Sequence, residues 1–328
     1  MDKEDMMVSV CCITYNQKEY IRDAIEGFLK QKTNFKYEVI IHDDASTDGT
    51  TEIIKEYAEK YPDIIKPIFE EKNQYSQGVK RILNITYKYA TGKYIALCEG
   101  DDYWIDEDKL TEQVKYMEKH EDCTFCFHNA KVVDMSNGKI RPFIPNSKKI
   151  KKYVKKDGIY NVGELELLEF IPTASFMFRR ENLEKMPQFY NECFVGDWPT
   201  KLIMTSFGYA YCIDKMMCVY RMNANGSVTK KNEENSRKSI EKEINFLNEK
   251  IKFVRQMDEF TNKKYNDVFK LRESQFKIEK LIASGNTKKI KEEKYLKNLK
   301  GMTKLKFAVK VYFPKVAKIY KKVENKGE

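Results

Sequence analysis

The sequence predicts an α/β fold: a mostly parallel sheet with helices on both faces, followed by a helical, basic C-terminal extension. Three observations predict it. Over roughly the first 130 residues, apolar runs alternate with segments of helical periodicity. The runs are nearly continuous rather than alternating, as in parallel strands buried on both faces. Beyond Ser227 the chain turns polar, Lys/Glu-rich and helical. That change puts a boundary near residue 228, with an α/β domain over 1–228 (halves 1–130 and 131–228) and a C-terminal region over 229–328.

The elements follow in order. Val8–Ile13 is the first strand, and Glu19–Gln31 a helix with Ile21, Ala24, Ile25, Phe28 and Leu29 on one face. Tyr37–His42 is the second strand. Thr50–Tyr61 is a helix stopped by Pro62, and Ile64–Phe69 the third strand. A helix over Gly78–Ala90 leads to the fourth strand, Tyr94–Cys98. Such a βαβ series demands parallel pairing through crossovers. Asp106, Glu107 and Asp108 open a helix carrying Leu110, Val114 and Met117, where they suit its positive end. A hairpin follows around 132–139, then a Lys-rich surface loop over 145–158. Val162–Phe170 and Thr200–Phe207 read as helices. Ser175–Arg179, Ala210–Asp214 and Met217–Arg221 read as strands.

Composition narrows the function. The net charge is +10, and residues 286–328 alone hold 14 Lys and 4 Glu, so the rest of the chain is formally neutral. A nucleic-acid footprint across the main domain is therefore not expected. The acidic start, Met1–Asp5, has no apolar stretch of signal length behind it, so no secretory leader is expected. No segment approaches the ~20 apolar residues of a membrane span. The eight cysteines lie mostly in apolar runs without a disulfide rhythm, which points to reduced thiols in a cytoplasmic protein. Cys123 and Cys126 have CxxC spacing but no second pair, and read as core.

The strongest functional signal is electrostatic. Glu99-Gly100-Asp101-Asp102 closes the fourth strand and Asp43-Asp44 closes the second, while Thr14-Tyr15-Asn16 closes the first. In an open parallel sheet, ligands bind at the carboxyl ends of strands. Three polar motifs distant in sequence thus share one edge. Three carboxylates within four residues repel one another, and a divalent cation turns that repulsion into binding. Asp48 in Ser46-Thr47-Asp48-Gly49-Thr50 reads instead as a helix cap. A dinucleotide or Walker-type site needs a glycine-rich turn, and Thr14–Glu19 has none.

These same residues carry a family resemblance. Val8–Asn16, Glu38–Thr50 and Gly92–Trp104 together resemble family-2 glycosyltransferases of the GT-A fold, of the bacterial surface-polysaccharide type, over roughly residues 7–228. The resemblance implies a nucleotide-sugar half (1–130) and an acceptor half (131–228). It implies that Thr14, Tyr15, Asn16, Asp43 and Asp44 hold the nucleoside. It implies that Glu99, Asp101 and Asp102 hold ribose and a divalent metal, Mn or Mg. It also implies that Asp197, in Gly196-Asp197-Trp198-Pro199, is the general base. Pro199 suits a first helical position, which makes Trp198 the cap and Asp197 free for chemistry. One base without a dedicated nucleophile means a single, inverting displacement from a UDP-linked sugar to an acceptor hydroxyl.

The chain departs from the family pattern at two places. Leu83-Asn84 stands where many relatives have Arg-Asn, which passes the diphosphate role to Lys80 and Arg81 beside Asn84. Asn223 follows Tyr220-Arg221-Met222 where many relatives carry a metal-ligating His. Trp198 either stacks on a sugar or packs. His128, at a strand end, either faces the acceptor or packs. The basic, aromatic-rich segment 303–323 is expected on an anionic membrane surface, where lipid-linked glycan acceptors sit, or as a solvated helix packed on the enzyme or on a second subunit. Two other functions fit parts of the chain: an inactive nucleotide-sugar-binding protein, and a membrane-surface scaffold using the basic tail. The first leaves Asp197 idle, and the second leaves the clustered acids unexplained.

Overall fold

The computed structural model describes residues 6–143, 154–155, 157–168, 170–225, 239–292, 295–299, 301, 305 and 307–308. The expected surface loop and the tail segment 303–323 lie largely outside the described residues. Two compact units make up the chain, Met1–Lys231 and Asn232–Glu328.

The first unit is built on one sheet. Its strands are β1 (Met6–Thr14), β2 (Lys36–Asp43), β3 (Ile65–Phe69), β4 (Tyr94–Leu97), β5 (Tyr103–Trp104), β6 (Cys123–Asp134), β7 (Ile140–Pro142), β8 (Gly158–Tyr160), β9 (Met177–Arg179) and β10 (Tyr209–Met222). The order is β3-β2-β1-β4-β9-β6-β10-β5, with β7 on β6 and β8 on β10. β3, β2, β1 and β4 pair in parallel. β9 enters antiparallel between β4 and β6, and β10 resumes parallel pairing with β6. Val8, Val10, Cys11 and Cys12 of β1 and Val39, Ile40 and Ile41 of β2 are all fully buried. Successive strand residues point to opposite faces, so both faces of this half are covered. The helices are α1 (Ile21–Leu29), α2 (Thr50–Lys60), α3 (Leu83–Tyr87), α4 (Lys109–Lys119), α5 (Val162–Leu167) and α6 (Asp197–Ser206).

Three elements differ from expectation for identifiable reasons. The helix expected over Gly78–Ala90 is confined to the five residues of α3. Gly78 takes φ +91°, and Val79 N–H bonds back to Gln74 O at 3.1 Å, so the preceding segment is a turn. The two strands expected at 210–221 are one strand, β10, whose register against β6 shifts between Ile213 and Cys218. A bulge keeps pairing while interrupting the pattern that sequence alone can read. Finally, α6 begins at Asp197, which makes Pro199 its third residue rather than its first. The first four helical N–H groups have no intrahelical acceptor, so proline is tolerated there too. Asp197 is therefore inside the first turn, and the N-cap is Gly196, without a side-chain cap.

All eight cysteines are buried and none forms a disulfide with another, Cys123 and Cys126 lying in the core of β6. No helix among the described residues is long and apolar enough to cross a membrane.

The second unit contains α7 (Ile240–Phe260), α8 (Asn266–Ala283) and α9 (Thr287–Glu292). The Ser239 side chain caps α7 by accepting from Lys242 N–H. Ile278, Ile290, Leu299 and Phe307 form an apolar core with Leu281 and Tyr295 packed on it.

Candidate active site

The end of β1 is the anchor on which the acidic loops hang. Gly100 N–H donates to Ile13 O at 3.0 Å, and Asp44 N–H donates to Thr14 O at 3.0 Å. Backbone bonds thereby fix both motifs to one strand end, whatever their side chains do. Gly100 is required there: a Cβ would meet Gln17 Oε1 at 2.5 Å and Thr14 Oγ1 at 2.8 Å. The loops after β1 and β2 brace each other. Asn16 N–H donates to Ser46 Oγ at 2.9 Å, Thr47 N–H donates to Asn16 Oδ1 at 2.8 Å, and Asn16 is held at φ 52°. Asp48 accepts from Thr50 and Lys18 N–H at the start of α2, a structural role.

Within this frame the expected nucleoside residues divide. Tyr15 projects, 37% exposed, beside the buried Thr14. The Asp43 carboxylate is consumed locally by Ser46 and Thr51. Asp44 accepts from Gln74 N–H at 2.6 Å and Tyr75 N–H at 3.1 Å, which ties the segment after β3 to the site. The Asn16 backbone N–H and side-chain Oδ1 likewise brace the loops.

The acids after β4 form one electrostatic group. Asp102 is 1% exposed; its Oδ1 accepts from Arg221 N–H at 2.8 Å, and its buried Oδ2 has no partner. Burial, then the charges of Asp101 and Glu99, push its pKa far up. Burial also raises Asp101, against the pull of Arg221 and Gln17. Burial, then Asp101 and Asp197, push Glu99 up to about 8. Asp197 is therefore close enough to Glu99 to repel it. Tyr220 feels Asp102, Glu99, Asp101 and Asp197 together, after a larger effect of burial. The first turn of α6 and the end of β4, almost a hundred residues apart in sequence, thus lie within electrostatic range of one another.

Arg221 is the residue that sequence reasoning left without a role. Its guanidinium donates to Asp101 O at 3.0 Å, pairs with Asp23 and lies 4.3 Å from the Tyr103 ring centre. The Tyr-Arg pair was visible in sequence, but nothing there shows that it reaches back across 120 residues. Truncation by Arg221→Ala is expected to cost about 2 kcal/mol, since charge-assisted hydrogen bonds and ring packing are both lost. Urea unfolding checks this, and an unchanged midpoint contradicts it.

Arg81 is buried, with Nε and Nη2 unpartnered among the described residues and its guanidinium 5.4 Å from the Tyr190 ring centre. A Cβ at Gly196 would lie 3.2 Å from its Nη1, so the cation sits directly before Asp197. Lys80 is exposed, and Asn84 Nδ2 donates to Asn191 Oδ1 at 3.0 Å. Trp198 Nε1 donates to Glu166 Oε2 at 2.6 Å, and its ring meets Phe194 edge-on. His128 is wholly buried, with Nδ1 2.8 Å from Asn129 O, so it packs rather than facing an acceptor. Asn223 sits at φ 62° and donates to Asp134 Oδ1 at 2.9 Å, so its amide is engaged in the hairpin.

Among the described residues no three ligating side chains are already gathered as a metal cage. The donor chemistry nonetheless suits a hard cation. An orphaned carboxylate oxygen on Asp102 lies with two further carboxyls whose ionisation is disfavoured. Magnesium-type ions take one or two carboxylates and complete their shell with phosphate oxygens and water.

The Glu99 shift carries a stability consequence. An acid raised from 4.5 to about 8 holds its proton more tightly folded than unfolded. The stability it contributes is complete below the unfolded value and is lost as pH rises through about 8. In chelator, Glu99→Gln is therefore expected to gain melting temperature relative to the unaltered protein between about pH 5 and about pH 8.5. A difference independent of pH contradicts the placement.

The mixed sheet with its acid-bearing β4 end is the GT-A arrangement, and the comparisons agree. The model of glycosyl transferase family 2 matches residues 9–186, more than half the chain. This chain belongs to that family. The match includes the ends of β1, β2 and β4 and stops short of Asp197. The chain is 39% identical over 220 residues to the uncharacterized protein Rv1520 of Mycobacterium tuberculosis, covering 67% of this chain and 60% of that one. It thus spans under two thirds of that relative's length. Among solved structures, S. aureus TarS 1-349 in complex with UDP-GlcNAc superposes with a TM-score of 0.57 at 18% identity, over 93% of this chain and 81% of that one. The mannosyltransferase PcManGT from Pyrobaculum calidifontis, in complex with GDP-Man and Mn2+, superposes at 0.54 and 18% identity, over 88% and 76%.

Proposed function

We propose that this chain is an inverting glycosyltransferase that moves a sugar from a UDP-linked donor to a hydroxyl of a glycan or lipid-linked glycan. The observation that carries the reading is the electrostatic reach between Asp197 and the acids after β4. A base for the acceptor and a cluster for the donor diphosphate then lie in one site.

In this reading Tyr15 and Asp44 bracket the base and ribose, and Glu99 meets the ribose. Asp101, with Asp102 behind it, would hold a divalent cation. A cation bound there supplies Lewis-acid stabilisation of the departing diphosphate. Arg81 adds a fixed positive charge on the same leaving group. Asp197 removes the acceptor proton as its oxygen bonds to the anomeric carbon, and the bond to the diphosphate oxygen breaks with its electron pair leaving on UDP. A single displacement inverts the anomeric centre. Trp198, held by Glu166, offers its ring to the acceptor beside Asp197. The UDP preference draws on the TarS likeness and the cation on PcManGT. The membrane-surface location draws on the basic segment 303–323.

Calorimetric titration of UDP with Mn2+ tests the donor half. Binding that chelation abolishes is expected. Failure to bind UDP at all, or the absence of any component of binding that chelation removes, contradicts the reading.

A further inference from the structure

We propose that the C-terminal helical unit carries a binding cleft of its own for a phosphate-rich anion, a diphosphate or polyphosphate group. A cleft of about 610 Å³ opens between α7, α8 and α9, and its walls are cationic. That volume falls within the ~300–1,000 Å³ range of ligand sites. Lys252 and Arg255 come from α7, Lys277 and Lys280 from α8, and Lys289 from α9. Among the described residues the lining holds these five cations and no acid.

Like charges gathered around one concavity repel, and its wall is tied to the unit's apolar core, since the lining residues Leu281 and Tyr295 also pack on Ile278, Ile290, Leu299 and Phe307. One acid beside the cleft compensates in part. Glu273 pairs with Arg255 at 2.6 Å and with Lys277 at 2.9 Å. Lys280 and Lys289 pair with no acid among the described residues. Lys280 and Lys289 therefore leave positive charge at the cleft beyond what Glu273, shared by Arg255 and Lys277, offsets.

The mix of donors selects phosphate. Arg255 gives its Nε and Nη2 to Glu273 Oε1, so its Nη1 remains for an anion beside lysines that act as point charges. Ile251, Leu281 and Tyr295 supply an apolar and aromatic wall, while Asn248 and Gln256 add neutral polar groups. That wall suits a phosphate esterified to a sugar or lipid better than a bare ion. This assignment does not depend on the donor-site reading, since all its residues lie in the second unit.

The test uses the full chain in chelator, so that cation-dependent binding elsewhere is silent. Pyrophosphate is titrated calorimetrically at low and high salt, in parallel with sedimentation on phosphatidylglycerol or phosphatidylcholine vesicles. Lys280→Glu with Lys289→Glu is expected to weaken binding to the responding probe on the order of ten-fold. Glu273→Gln, which removes the competing carboxylate, is expected to tighten it. Pyrophosphate binding without vesicle binding assigns a soluble phosphate ester. Binding to phosphatidylglycerol that pyrophosphate displaces assigns a lipid headgroup. Both support the cleft. It is overturned if the unaltered protein binds neither probe, or if a helical, folded double variant binds as tightly as the unaltered one. The Mn2+-dependent component of UDP binding, the part that chelator removes, should be unaffected by both variants, which separates this outcome from failure of the donor site.

Discussion

Asp197→Asn is expected to lower sugar transfer by about 10²–10⁴-fold while leaving donor binding intact, because only the proton acceptor is removed. The amide keeps the shape and hydrogen-bonding reach of the carboxyl at the start of α6, so the helix should form as before. Asp197 repels Glu99, so removing its charge lets Glu99 ionise at lower pH. Affinity for a cation-bound diphosphate should therefore hold or rise. The signature is a fall in kcat with unchanged or lower donor Kd, read by steady-state kinetics beside calorimetry. Retained kcat removes Asp197 from the base role. A fall in donor binding of the same size as the fall in turnover assigns it to the donor instead.

Asp101→Asn is expected to reduce turnover by about 10²–10³-fold, the loss typical when a preorganised electrostatic group facing the leaving charge is removed. Asp101 is the acid of its cluster best placed for this. It is only half-buried and faces Gln17, whereas Asp102 is sealed in and held by Arg221 N–H. Its second expected effect is loss of the response to added Mn2+ or Mg2+, measured as donor consumption against cation concentration. An undiminished cation response in this variant places the metal elsewhere. The same substitution removes a charge that pushes Glu99 up, so the pH-dependent stability penalty at Glu99 should shrink in parallel.

Much of the fold was legible because parallel strands announce themselves. Continuous apolar runs such as Val39-Ile40-Ile41 are dictated by burial on both faces, and their ends put the polar motifs on one edge. The donor-side acids could be read for that reason. The less legible parts depend on tertiary contacts. The bulge in β10 broke one strand into two apparent ones, and α3 is short because the segment before it, around Gly78 and Val79, is a turn. Asn16 and Asp43 look like ligands in sequence, and the Asn16 Oδ1 and the Asp43 carboxylate are also what brace the loops. His128 sits at a plausible position in the strand, and its burial follows only from what packs around it. Arg221 is the clearest omission. Its importance lies in reaching Asp101, Asp102 and Asp23 at once, and no local pattern encodes that.

The most direct test of the central claim is release of nucleoside diphosphate from a panel of nucleotide sugars, with Mn2+ and with chelator, by the unaltered protein and by Asp197→Asn. The account predicts that at least one UDP-sugar is consumed in a cation-dependent reaction that Asp197→Asn abolishes without abolishing UDP binding. Consumption of no donor by the unaltered protein, or equal release by the Asn variant, contradicts it.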